Sequence, residues 1–173
     1  MKKHFFILLF LSSLISGLNA QNADSTFVQS SGIDSAKSNR FLIYPGFGVS
    51  LVRNDLSPAF YINVGLNHHD RWEVNINSAS FFFFERGSDK NYKIYRNTFI
   101  NAEFLLNFSV FNKKERDFNG LGVGYLIESK GYYFEESTFM VYYKRRFKAF
   151  SVMPGIVISD NFREVFPVIS IRL

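Results

Sequence analysis

From residue 41 onward the chain alternates apolar residues with polar or small ones at a period of two. That is the period of a β-strand, whose successive side chains point to opposite faces of a sheet. The first run, 41–52, sets Phe41, Ile43, Pro45, Phe47, Val49 and Leu51 against Leu42, Tyr44, Gly46, Gly48 and Ser50. The second sets Phe60, Ile62, Val64 and Leu66 against Tyr61, Asn63, Gly65 and Asn67. The third opposes Trp72, Val74 and Ile76 to Glu73, Asn75 and Asn77 before reaching the four phenylalanines at 81–84. A fourth run covers 97–111, with Ala102, Phe104 and Leu106 opposite Asn101, Glu103 and Leu105. The fifth has Leu121, Val123, Tyr125 and Ile127 opposite glycines. The sixth has Phe139, Val141 and Tyr143 opposite Met140, Tyr142 and Lys144, the seventh covers 150–158 and the eighth 164–173.

Eight such runs predict an all-β fold, an eight-stranded antiparallel up-and-down barrel. An even count lets the sheet close, and eight is the smallest standard size of a transmembrane barrel. In lipid, closure is obligatory, because an open edge would leave backbone groups unpaired. The segments 68–70, 112–117 and 144–148 read as short polar turns, and 85–96 and 128–137 as longer loops. Segments 54–57 and 159–163 are intermediate in length. Short turns on one side and long loops on the other would put both ends of the barrel domain on the short-turn side.

Periodicity leaves open which face looks outward. A soluble barrel of the lipocalin kind would turn its apolar face inward. Three features favour an apolar exterior. The apolar positions named above carry no charge, and an Arg or Lys at mid-bilayer depth would cost about 2–4 kcal/mol. The opposite face is rich in Gly, Asn, Ser and Tyr, which suits a narrow lumen. The 22 Phe, 9 Tyr and 1 Trp are heavy for a chain of this size, as the aromatic girdles of a membrane barrel would require. Rings at 81–84, 92, 95 and 132–134 lie toward the loop side, and Trp72, Phe108, Phe111 and Tyr143 toward the turn side.

The first 40 residues differ. Met1, Lys2, Lys3 and His4 form a short basic head, 5–18 is mostly apolar, and Asn19 and Ala20 end the segment. This is the order of a cleaved secretory signal peptide, too short for a spanning helix of about 20 apolar residues. Residues 1–20 are therefore expected to be a signal cut near Ala20, residues 21–40 a polar flexible leader, and residues 41–173 the barrel. Without cysteine, lipoprotein anchoring, thiolate metal sites and disulfides are unavailable. The formal charge of +5 falls to +3 once Lys2 and Lys3 are removed. The remaining cations are dispersed, so nucleic acid is not an expected partner.

At this point residues 41–173 resemble the small outer-membrane barrels of the OmpA/OmpX-like type. The likeness rests on strand number, alternation and the ending Val165, Pro167, Ile169, Ile171 and Leu173. It implies an outer-membrane location in a Gram-negative envelope, contact with lipid and lipopolysaccharide, assembly by the barrel-assembly machinery through the last strand, and a monomer. Pro45, Pro154 and Pro167 fall inside runs one, seven and eight, where each removes a ladder donor. Bulges are the plain explanation. A proline-gapped wall also resembles that of lipid A palmitoyltransferase barrels.

Candidate chemistry is sparse. His68 and His69 occupy a polar turn without a spaced third ligand for a metal. Glu73 and Glu103 are expected to face the lumen, where carboxylates can do acid–base work but more often pair with cations such as Lys144, Arg146 or Arg172. The candidate site is therefore a lumen network of Glu73, Asn75, Asn101, Glu103, Lys144 and Arg172, with no cofactor. There is no phosphate loop, nucleophile elbow or zinc signature. The leading expectation is a non-enzymatic envelope barrel acting through its surface loops. The alternatives are a lipid-modifying barrel enzyme and a soluble lipocalin-like carrier.

Overall fold

The structure, a computed structural model, describes residues 39–86, 91–108, 118–135 and 137–173. The expected signal at 1–20, the leader up to residue 38 and the turn at 112–117 lie outside the described residues. Eight strands follow in order: β1 Arg40–Val52, β2 Asp55–His68, β3 Trp72–Arg86, β4 Tyr92–Asn107, β5 Phe118–Glu128, β6 Phe139–Arg146, β7 Ser151–Ser159 and β8 Glu164–Arg172. Each is antiparallel to its chain neighbours, and β8 closes on β1, giving a closed up-and-down barrel. The closing ladder runs from Gly48 opposite Arg172 to Val52 opposite Val168, extended by Leu173 N donating to Phe47 O at 2.8 Å.

Tight turns set the register. Arg53 and Asn54 join β1 to β2 with φ of 48° and 70°, the left-handed pair that matches the twist of a two-residue hairpin. His69 and Asp70 do the same between β2 and β3, at 51° and 55°, closed by Arg71 N donating to His68 O. Between β7 and β8, Asp160, Asn161 and Phe162 all have positive φ. Asn and Asp tolerate this conformation, and for the bulky Phe162 it is unusual.

Several run boundaries differ from the sequence expectation. The expected fourth run at 97–111 is shifted: β4 starts at Tyr92 and ends at Asn107. The supposed long loop at 85–96 is mostly strand, because β3 and β4 pair from Trp72 opposite Leu106 up to Arg86 opposite Tyr92. Alternation weakens at the four phenylalanines, which hid the continuation. The 54–57 connection is the two-residue turn just described, and the 144–148 turn is displaced to follow Arg146. Short and long connections therefore do not segregate to opposite ends.

The two faces are sharply different. Val74, Phe104 and Val123 are 42–56% exposed on the outside, whereas Asn63, Asn75 and Asn101 are at most 1% exposed within. The interior is layered. Toward the end where β1 begins and β8 ends it holds charged and amide side chains. Toward the opposite end it is aromatic, with Tyr61, Phe81, Phe83, Phe99 and Leu126 in one buried cluster with Met140 and Val157. The β5–β6 loop tucks Tyr133 and Phe134 into this layer. Tyr133 stacks on Phe83 at 3.9 Å, and Phe134 meets Phe99 edge-on at 5.2 Å. Phe81, Phe83, Tyr133 and Phe134, expected among loop-side girdle rings, thus form core instead.

The prolines sit within continuous ladders. Pro45 faces Ile62, and Pro154 and Pro167 face Ile169 and Ile156 without a break in the β7–β8 register. The interruption lies on the other side of β7. The β6–β7 register passes from Tyr142 opposite Gly155 to Arg145 opposite Val152, leaving out the two pairs that Pro154 and Met153 would make with Tyr143 and Lys144. A missing donor is the simplest cause.

Candidate functional site

The charged layer is built chiefly by alternate strands. Glu103 comes from β4, Tyr142 and Lys144 from β6, Arg172 from β8 and Asn63 from β2. At this level β1, β5 and β7 supply glycine, and the small residues make room for the large ones. A Cβ on Gly122 of β5 would stand 2.3 Å from Tyr142 Cζ, and one on Gly124 would stand 2.1 Å from Asn101 Oδ1.

Glu103 is the hub. Its Oε1 accepts from Tyr142 Oη at 2.7 Å and its Oε2 from Lys144 Nζ at 2.7 Å. Arg172 Nη1 lies 3.6 Å from Oε1, donates to Asn63 Oδ1 at 2.8 Å, and its guanidinium caps the Tyr61 ring at 3.8 Å. Glu73 of β3 forms a second centre nearer the rim. Arg146 of β6 grips both its oxygens at 2.7 Å, and Asn75 donates to its Oε1 at 2.8 Å. Asn75 also reaches Glu103 Oε2 at 3.5 Å, joining the centres. Asn101 stands apart and donates to Asn77 Oδ1 at 2.9 Å.

Of the six residues chosen from sequence, Glu73, Asn75, Glu103, Lys144 and Arg172 therefore join one network, and Asn101 belongs to a neighbouring amide pair. Buried charges persist only when paired and hydrogen-bonded, and this arrangement meets that condition. Both carboxylates are engaged by cations and neutral donors. Where the two layers meet, a void of about 10 Å³ lies between Tyr61, Phe81, Asn101, Tyr142, Met153 and Arg172. Such a space is at the limit of what one water needs.

No family model, curated protein or solved structure matches this chain.

His68 and His69 form no metal centre among the described residues. His68 stacks on Trp72 at 4.7 Å and its Nδ1 pairs with Asn39 Oδ1 at 2.7 Å. Among the described residues no group of three His, Cys, Asp or Glu side chains could hold a metal ion. No described helix is long and apolar enough to cross a membrane. Tyr61, Asn63 and Tyr142 are network members that the sequence selection omitted, although each lies on the polar face of its run. Arg146 had been assigned to a turn, but β6 extends to it and keeps the parity of Lys144.

Proposed function

We propose that this chain is an integral β-barrel of a Gram-negative outer membrane, exported by its amino-terminal signal, with a structural rather than enzymatic role and its loops at the cell surface. One observation carries this reading: along the middle of all eight strands the exposed face is apolar, while the charges of that span, Glu73, Glu103, Lys144 and Arg172, are buried inside. Among the outward residues, Ile43, Ile62, Ile76, Phe104, Val123, Val141, Ile156 and Ile169 sample every strand, and all are exposed. In water, a contiguous apolar belt of this kind would be an aggregation surface. Against acyl chains it is the required face.

The interior supports the same choice. A soluble carrier needs an apolar-lined cavity of several hundred Å³ for its cargo. Here the space is taken by the ion network at one end and by stacked rings at the other. The same filling argues against a diffusion pore, which needs about 16–18 strands. On this reading the partners are outer-leaflet lipid and, during assembly, the machinery that reads β8; the folded barrel is a monomer.

Fractionation of the native host tests the proposal. The mature chain is expected in the outer-membrane fraction, with a gel mobility that changes on boiling. Recovery as a freely soluble periplasmic protein would end it.

A further inference from the structure

The outer face is interrupted by charge at the loop end of β4 and β5, and a backbone irregularity puts it there. Plain alternation would turn Glu128 inward with Gly122, Gly124 and Leu126. The β4–β5 register instead shifts between Thr98 and Phe99, setting Leu126 opposite Phe99 and Glu128 opposite Thr98. Ile127 is the extra residue of a bulge, a device that re-aims a side chain, and the partly exposed Glu128 covers the buried Thr98 on the outer face.

There Arg96 donates to both Glu128 oxygens, at 2.9 and 2.6 Å. Lys130 Nζ stands 3.2 Å from Glu128 Oε1. Thr98 Oγ1 lies 3.4 Å from Oε2 and 3.1 Å from Ser80 Oγ. Lys130 is held by the backbone: the buried Asn97 amide donates to its carbonyl at 3.2 Å and accepts from its N–H at 3.0 Å. Two cations therefore share one carboxylate. The cluster keeps a charge of +1, and the Arg96 and Lys130 side chains remain 49% and 58% exposed. Directly beneath, the outer face is apolar again, with Ile100 opposite Tyr125 and Ala102 opposite Val123. Ala102, the smallest of these, is exposed.

We propose that Arg96 and Lys130 form the headgroup site of a phosphate-bearing outer-leaflet lipid whose acyl chains lie along Ile100, Ala102, Val123 and Tyr125. The inference rests on the membrane reading above and names a ligand within it. A phosphate offers several acceptor oxygens to a guanidinium fork and an ammonium at once. The charge lies directly above the apolar stretch of Ile100 and Tyr125, so that a headgroup held there would meet its own chains along β4 and β5. A free anion would use the cations alone; an amphiphile uses both parts of the surface.

Native mass spectrometry of the full chain in a neutral detergent tests the site. The probes are diphosphoryl lipid A, the same lipid dephosphorylated, and inorganic phosphate. The wild type is expected to prefer the phosphorylated lipid by about tenfold or more, a difference two charge-assisted contacts readily supply. R96Q/K130Q should lose that preference, while K148Q, at the opposite end of the barrel, keeps it. All variants should retain the wild-type mobility shift on boiling, which separates binding from folding. Equal lipid binding by R96Q/K130Q, or no preference in the wild type, overturns the site. Inorganic phosphate binding as tightly as lipid A overturns the lipid assignment in favour of a free anion. Fractionation decides the membrane reading separately, so a membrane-bound protein that fails here loses only this site.

Discussion

Lys144 Nζ and Glu103 Oε2 meet 2.7 Å apart inside the barrel, with side chains 1% and 0% exposed. The pair joins β6 to β4, which flank β5 and are not ladder neighbours, so it adds a tie across the lumen that the sheet hydrogen bonds do not make. Removing one member of a buried ion pair leaves an uncompensated charge, at a cost of about 3–5 kcal/mol. Glu103 serves Lys144, Tyr142 and Arg172, whereas Lys144 has Glu103 as its carboxylate. Glu103→Leu is therefore expected to destabilise more than Lys144→Met. Lys144→Met/Glu103→Leu should recover much of the loss, since apolar replacement of a whole pair is often neutral. Urea unfolding of the lipid-reconstituted protein measures all three; a double variant as weak as the sum of its parts would contradict this account.

Gly122 makes a second expectation sharp. A Cβ there would meet Cζ, Cε2 and the hydroxyl of Tyr142, all within 2.6 Å. Tyr142 cannot retreat freely, because its hydroxyl is held by Glu103 Oε1 at 2.7 Å. Gly122→Ala should cost about 1–3 kcal/mol by overpacking. In a Tyr142→Ala background the cost should nearly vanish, because the two changes act on one contact. Additive effects in a double-mutant cycle would show that the clash is relieved elsewhere.

Strand number, strand order and the identity of the two faces were legible in the sequence because each strand keeps one face in one environment along its length, and period two records that directly. Three things were not. Phe81–Phe84 present the same residue type to both faces, so the run lost its phase and β4 was started five residues late, at Asn97 instead of Tyr92. Tyr133 and Phe134 enter the lumen from a loop, which has no period to betray direction. Glu128 is turned outward by the extra residue Ile127, and a bulge leaves no mark in an alternating pattern that ends there. The network was readable to the extent that it lies on strand interiors. Arg146 was missed as a strand residue because its run of cations, Lys144, Arg145 and Arg146, resembles a turn.

The aromatic layer gives a prediction in pH. Burial, with the Asp55 carboxylate adding to it, pushes the Tyr133 phenol up to about 12. An unfolded tyrosine ionises near 10. The folded state thus holds this proton longer than the unfolded chain, so the contribution is whole below about pH 10 and falls as pH rises toward 12. Tyr133→Phe keeps the ring that stacks on Phe83 and removes the ionisation. Relative to the wild type it should be more stable at pH 11.5 than at pH 8. Parallel stability curves for the two proteins across that range would refute the link.

Val123 lies at mid-height on the outside of β5, opposite Ala102 on one side and Val141 on the other. Its side chain touches the surroundings rather than the lumen, being 56% exposed. That placement makes a charged substitution diagnostic. If acyl chains surround the strand, Val123→Arg places a cation near the bilayer midplane at a cost of about 2–4 kcal/mol. If water surrounds it, the same change relieves an exposed apolar site and costs less than about 0.5 kcal/mol. Ile127→Arg, closer to the charged end of β5, should cost less than Val123→Arg, because the penalty falls toward the interface. Lys144→Met serves as an internal reference, since its effect depends on the lumen and not on what lies outside. Unfolding free energies in lipid vesicles, ordered with Val123→Arg above Ile127→Arg, are the expected result. A neutral Val123→Arg would remove the physical basis for placing this barrel in a membrane.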